Sequence, residues 1–300
     1  MRAVVTGGAG FIGSHVVDAL VARGDEVAVI DNFATGKREN VHAGATLAER
    51  DVREDLGDVF DEARPDVCFH LAAQADVRVS VADPEFDAQV NTIGTVRVLE
   101  GARRHGTHVV FSSTGGAIYG ESPEPATEDS PRQPLSPYGT SKLAAEEYMR
   151  TYNRLYESGH VALRYGNVYG PRQDPHGEAG VVAIFFNRLR DGERPRIFGD
   201  GLQTRDYVFV GDVVDATLAG AGARGGVFNV GTGRETSVVE LFDACRAVAG
   251  VDVEPEYAPA RLGELQRSVL AIDRAIDELA WRPRRSLDEG LAETWAWVNG

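Results

Sequence analysis

Apolar positions follow two rhythms along this chain. In the first half, short runs have the length and bias of strands: Ala3 to Thr6, Glu26 to Asp31, Ala45 to Glu49, Asp66 to Leu71, His108 to Ser112 and Val161 to Tyr165. Between them lie longer stretches with helical spacing: Phe11 to Arg23, about 84–105 (Phe86, Val90, Ile93, Val96, Val98 and Leu99 apolar), and 137–157. Ser136 ahead of Pro137 predicts an N-cap followed by a proline at the first helical position. Strands and helices alternating in this way predict an α/β protein whose parallel sheet is covered on both faces. After Gly170 the regularity breaks, and Pro171 to Gly180 and Arg194 to Gly201 are rich in Gly, Pro and charge. Shorter helices are expected over 182–190, 213–221, 238–249, 274–280 and 287–298. The expected organisation is a domain over 1–170 and a smaller α/β lobe over 171–300, with segments near 205–232 returning to the first domain.

Charge narrows the choice of partners. Against 31 Lys and Arg stand 46 Asp and Glu, a net charge of −15 over 300 residues. Broad electrostatic binding to nucleic acid or to an anionic membrane is excluded on that balance, so an anionic ligand needs a few locally gathered arginines. No run approaches the ~18 apolar residues of a membrane span. Met1 to Thr6 leads straight into a glycine loop, so no secretory leader is expected, and two lone cysteines, Cys68 and Cys245, suit a reducing cytoplasm. Nothing points to a metal site. Only two of the basic residues are lysines, Lys37 and Lys142. Arg cannot supply a compact ammonium with an adjustable pKa, so each Lys invites a question.

Two motifs carry chemistry. Gly7, Gly10 and Gly13 follow the first strand and open the first helix, where missing side chains let the backbone approach a pyrophosphate and aim the helix N-terminus at it. A Gly-rich turn alone is weak evidence, but here the strand-loop-helix context is right. Asp31 ends the second strand 18 residues after Gly13, where a carboxylate can accept hydrogen bonds from a ribose; this favours NAD, although Lys37 and Arg38 could meet a 2′-phosphate. The second motif is Tyr138-Gly139-Thr140-Ser141-Lys142, which places phenol and ammonium on one helical face. Chance gives only about 0.06 such pairs in a chain of this composition. A Lys near a Tyr favours the phenolate and makes a general base that works near neutral pH. Ser112-Ser113-Thr114 ends the fifth strand, where ligand sites of open α/β sheets form.

The combination resembles the extended short-chain dehydrogenase/reductase superfamily, and within it most closely the UDP-glucose (UDP-galactose) 4-epimerases. The similarity runs through His70-Leu71-Ala72-Ala73-Gln74, Asn91, Ser136-Pro137-Tyr138-Gly139, the stretch Leu163 to Gln173, and Gly177 to Val182. It continues in Gly199-Asp200-Gly201, Arg205-Asp206-Tyr207, Asn229 to Gly233 and Arg261-Leu262-Gly263-Glu264. The resemblance implies a Rossmann-like doubly wound sheet with a C-terminal substrate lobe, a tightly held NAD, and oxidation and re-reduction at C4 of a UDP-hexose through a 4-keto sugar. Tyr138 would exchange the proton of the 4-hydroxyl, Thr114 or Ser113 would hydrogen-bond the same oxygen, and Lys142 would lower the Tyr pKa. The implied cofactor contacts are Gly7, Gly10, Phe11, Ile12, Gly13, Asp31, Asn32, Asp51, Val52, Leu71, Ala72, Ala73, Gln74, Asn91, Ser112, Tyr138, Lys142 and Tyr165. Thr114, Tyr138, Asn167, Val181, Val182, Phe198, Arg205, Tyr207, Arg261 and Glu264 would line the UDP-sugar site, with Arg205 and Arg261 on the diphosphate.

Similar dehydratases and decarboxylases have a carboxylate right after the strand-five Thr, whereas Thr114 is followed by Gly115-Gly116-Ala117. This argues against elimination. Epimerases for UDP-N-acetylglucosamine or UDP-glucuronate, or a nucleotide-sugar dehydrogenase, are the competing readings. Similar proteins form homodimers through the two long helices, and the same is expected here.

Overall fold

A computed structural model describes residues 1–175, 180–260 and 265–300. The candidates Arg261 and Glu264, and Gly177 to Ala179 of the resemblance, lie outside the described residues. Strands β1 (Arg2–Thr6), β2 (Glu26–Asp31), β3 (Thr46–Glu49), β4 (Val67–His70), β5 (His108–Thr114) and β6 (Val161–Tyr165) join Val227–Val230 in one seven-stranded sheet. All pairings are parallel, in the order β3-β2-β1-β4-β5-β6 with Val227–Val230 at the edge. This is the doubly wound arrangement, and the strand order reverses beside β1, so the crevice outside the carboxyl ends of β1 and β4 is the natural ligand site.

Successive side chains of a strand face opposite ways, and both faces here are apolar. Val5, Val29 and Phe69 join Val16, Val17 and Leu20 of helix α1 (Phe11–Ala22) in one buried cluster. Val4, Ile30, Cys68 and Phe111 join Phe60, Val98, Leu99, Ala145 and Met149 from the helices on the other side. A third cluster, with Val182, Phe185, Phe186, Leu241 and Phe242, forms the interior of the later residues. Small sheets there pair Tyr207–Phe209 with Asn167–Tyr169, and Thr204–Arg205 with both Thr236–Ser237 and Arg267–Ser268.

The long stretch expected over 84–105 is helical throughout, but it is built as Pro84–Ala88, a π turn at Gln89–Ile93, and Gly94–His105. The wider turn carries Asn91, only 1% exposed, and π turns of this kind recur at functional sites. The helix Pro137–Tyr156 starts as expected, with the Ser136 side chain accepting a hydrogen bond from the Gly139 N–H and Pro137 in the first turn. Strand β5 runs to Thr114, so all three hydroxyl residues at its end belong to the strand. No helix among the described residues is long and apolar enough to cross a membrane.

Candidate active site

The glycine loop sits at the reversal point and its geometry explains its composition. Gly7 has φ +71°, and a Cβ there would lie 2.6 Å from the Ala72 nitrogen. A Cβ on Gly13 would overlap the Gly7 carbonyl oxygen, so helix α1 packs on the loop only because that side chain is missing. The α1 N-terminus is capped by Gly10 with no side-chain hydrogen bond and has no acidic residue in its first turn. Its N–H groups and positive dipole end are thus available to an anion. Asp31, 8% exposed, accepts the Ala9 N–H on Oδ2 (2.9 Å) and the Phe33 N–H on Oδ1 (2.8 Å). These bonds fix the carboxylate at the lip of the loop and leave lone pairs for ribose hydroxyls. Arg38, which could have met a 2′-phosphate, stacks on Phe33 and pairs with Glu49 at 2.5 Å. Asn32 donates to Asp51 at 2.8 Å. The Arg53 guanidinium beside Asp51 holds its carboxyl down at about 2, and Val52 is buried against Gly94.

A hydrogen-bonded chain fixes the facing loop, Leu71 to Gln74. The Ala72 N–H donates to Thr6 Oγ1 (3.2 Å), which bonds His70 Nδ1 (2.7 Å). His70 Nε2 then bonds Thr95 Oγ1 (3.0 Å), which donates to the Asn91 carbonyl (2.6 Å). The chain is complete with His70 neutral and its proton on Nε2, in keeping with burial and nearby Lys142 pushing its pKa down to about 3. Asn91 clamps Gln74 from both sides, accepting its N–H and donating to its carbonyl, each at 2.9 Å, and donates to Asp87 Oδ1 (3.0 Å) and Ser141 Oγ (3.2 Å).

Ser141 leads to the Tyr-Lys motif. Lys142 is 2% exposed, donates from Nζ to the Ser112 carbonyl at 2.7 Å and sits 4.5 Å over the Phe111 ring. Burial lowers its pKa to about 7 against the opposing pull of the carboxylates of Asp87 and Glu146. Tyr138, one turn earlier on the same helix, is half-buried. The two hydroxyls left open at the strand end separate cleanly. Ser113 Oγ donates to Glu146 Oε1 (2.6 Å) in the interior. Thr114 lies on the opposite strand face, where an atom added at Gly116 would meet its Oγ1 at 4.0 Å and Asn167 Oδ1 at 3.6 Å. Thr114 and Asn167 therefore flank one space.

On the sugar side, Arg205 is half-buried, and Tyr207 pairs in register with Asn167. Asp206 between them, to which the sequence motif alone assigns no role, accepts from Thr232 N–H and Oγ1 (both 2.7 Å), Gly233 N–H (3.0 Å) and Leu270 N–H (3.4 Å). Its own carbonyl accepts the Asn167 N–H at 2.7 Å. A lone carboxylate between an Arg and a Tyr, with Thr-Gly-rich sequence downstream, was the available signal. Phe198 and Val181 are half-buried, whereas the Val182 side chain belongs wholly to the third core. Tyr165 is likewise inward, its hydroxyl sharing a 2.7 Å hydrogen bond with Thr217.

The family described as "NAD dependent epimerase/dehydratase family" matches residues 3–231. A protein of Mycolicibacterium smegmatis named UDP-glucose 4-epimerase is 49% identical over 304 residues, covering 98% of this chain and 97% of its own. The crystal structure of a Thermotoga maritima UDP-glucose 4-epimerase with UDP-glucose superposes with TM-score 0.97 at 47% identity, covering 99% and 98% of the two chains. That of a Thermus thermophilus UDP-glucose 4-epimerase in complex with NAD gives 0.95 at 48% identity, covering 100% and 99%.

Proposed function

The chain belongs to the NAD dependent epimerase/dehydratase family, and on that premise we propose that it interconverts UDP-glucose and UDP-galactose through a 4-keto sugar. The observation that supports this is Lys142 Nζ anchored 2.7 Å from the carbonyl of Ser112, two residues before Thr114 on β5 and one helical turn after Tyr138 on its own helix. The cradle suits NAD: only missing side chains allow the approach of Gly7 to Ala72, the α1 N-terminus is open, and Asp31 at the lip of the loop has lone pairs for ribose hydroxyls, with Arg38 drawn aside to Glu49. When bound, the nicotinamide supplies the acceptor and donor of the hydride.

The protein's own groups handle the proton and the orientation. Tyr138 Oη takes the proton of the sugar 4-hydroxyl, holds it while C4 is a ketone, and returns it when the ring has presented its other face. The Lys142 ammonium favours the phenolate through its charge, and with one N–H on the Ser112 carbonyl it keeps two for a cofactor ribose. The Thr114 hydroxyl donates to the 4-oxygen. Arg205 would meet the diphosphate, and Asp206 between it and Tyr207 ties their strand to Thr232. Gly115, Gly116 and Ala117 offer no carboxylate to move a proton at C5 or C6, so the chemistry stops at C4.

The sugar is neutral on this reading. Arg78 and Arg172, the cations that could have met a C6 carboxylate, are held by Asp76 (2.8 Å) and Asp18 (2.7 Å). A glucuronate would lose its hydration without a partner, a cost of several kcal/mol. Specificity constants across a panel of UDP-sugars test this, and a tenfold or greater preference for UDP-glucuronate over UDP-galactose would overturn it. The enzyme is proposed to be a cytoplasmic homodimer. Its two cysteines are buried free thiols, and Val79, Val81, Ile93, Tyr148, Leu155 and Tyr156 expose apolar surface on the segments 77–105 and 137–156.

A further inference from the structure

Glu146 follows Lys142 by one helical turn and is 1% exposed. Its Oε1 accepts from Ser113 Oγ (2.6 Å) and from Arg164 Nε (2.9 Å), and its Oε2 from Arg164 Nη2 (2.6 Å). Arg164, on β6, is fully buried. Its Nη1 donates to the Tyr119 hydroxyl (2.7 Å), which donates in turn to Asn229 Oδ1 (2.7 Å) on the edge strand. One carboxylate thus bolts the helix of Tyr138 and Lys142 to β5 at the residue before Thr114, and to β6 beyond it.

Stability is a weak explanation for such a pair, because apolar side chains of similar volume often serve as well or better in a core. Its position is informative instead, since it lies between the two elements that carry the reaction. We propose that Glu146 is a positioning residue, fixing the Tyr138–Lys142 helix against the Thr114 strand and presenting a buried negative charge to the Lys142 ammonium. The proposal rests on the roles assigned to those three residues above.

The surroundings of Lys142 show why the charge matters. The carboxylates of Asp87, on the helix Pro84–Ala88, and of Glu146, on its own helix, act on it through their charge, while His70 from β4 is neutral and Arg164 is paired with Glu146. Phe111 and the Ser112 carbonyl of β5 complete the wall, with Tyr138 on the same helix. Burial already brings the ammonium down to about 7, and the carboxylates are what oppose it. Removing one leaves less to hold the proton, so the ammonium is lost at lower pH.

The test is the pH profile of kcat of the NAD-loaded enzyme with UDP-galactose. In Glu146→Gln the alkaline limb should move down by about one pH unit, lowering kcat about tenfold above it, with KM changed by less than about twofold. Glu146→Asp, which keeps the charge, should bring the limb back towards its original place. The double variant Glu146→Gln/Arg164→Met avoids stranding a guanidinium in the core, and because it removes a positive charge together with the negative one, its limb should move in the same direction but by less than that of Glu146→Gln. Tyr138→Phe is measured alongside: if it keeps the full rate, the assigned catalytic roles fail. If Tyr138→Phe is inactive while Glu146→Gln loses only thermal stability and its limb stays put, the positioning role alone fails. Failure of both the Gln single and the double variant to yield folded holoenzyme would make the pair structural and overturn the proposal as well.

Discussion

Gly7 and Gly24 make a matched pair for testing how the loop meets its cofactor. Both have left-handed backbones, with φ +71° and +84°, and they differ in what a methyl group would strike. At Gly24 nothing lies within 4 Å, whereas at Gly7 the new Cβ would stand 2.6 Å from the Ala72 nitrogen and 2.9 Å from Ala72 Cα and the Leu71 carbonyl carbon. Gly24→Ala should therefore cost only the backbone term, about 1–2 kcal/mol. Gly7→Ala pays the same and must also push two backbone segments apart, a further ~1–3 kcal/mol by analogy with overpacked interiors. On the proposed reading the segments pushed apart are the two lips of the pyrophosphate cradle, so that second term should appear as weakened binding. At 1.4 kcal/mol per decade it corresponds to an NAD dissociation constant raised about 5- to 150-fold. Calorimetric titration of stripped protein with NAD, beside thermal unfolding of both variants, gives the comparison. If Gly7→Ala matched Gly24→Ala in both melting temperature and NAD affinity, the loop would not approach Leu71–Ala72 as described.

Tyr138→Phe should lower kcat by about 10²–10⁴ while leaving the fold and NAD content intact, since only one hydroxyl is lost; an unchanged rate would remove the base from the mechanism. Acid should destabilise the protein between pH 6.5 and about 4. Burial lowers the His160 pKa from 6.5 to about 4, so in that window the unfolded chain binds more protons, and stability is full above pH 6.5 and lost as pH falls towards 4. His160 alone accounts for roughly 3 kcal/mol, and a melting temperature unchanged from pH 7 to pH 4.5 would contradict this. Light scattering at micromolar concentration should report a dimer, and a monomer would show that the apolar residues on 77–105 and 137–156 are not an interface.

The main sheet was legible because its signals are local. The strand Glu26–Asp31 and the start of the helix at Pro137 came directly from apolar runs and from Ser136-Pro137. The π turn at Gln89–Ile93 was not legible, because helical spacing reads the same on either side of one extra residue. What holds it is tertiary, the bonds of Asn91 to Gln74, Asp87 and Ser141. Short helices at Gly57–Ala63 and Val77–Ala82 were also missed; neither spans enough turns to set up a period. At the site, the choice between Ser113 and Thr114 depends on which face of β5 each occupies and on Glu146 reaching the former, which sequence cannot give. Arg164 did carry a signal, a single charge inside the apolar run Val161–Tyr165, and a buried charge of that kind implies a partner such as Glu146.

The central claim is that hydride leaves C4 of the sugar and returns to the same carbon on the opposite face. UDP-galactose carrying deuterium at C4, turned over by the purified protein in ordinary water without added NAD, tests it most directly, with NMR reading the C4 position of the product. The account predicts UDP-glucose with deuterium retained at C4 and none released to solvent. Protium at C4 of the product, or no UDP-glucose unless fresh NAD is supplied in proportion to product, would contradict it.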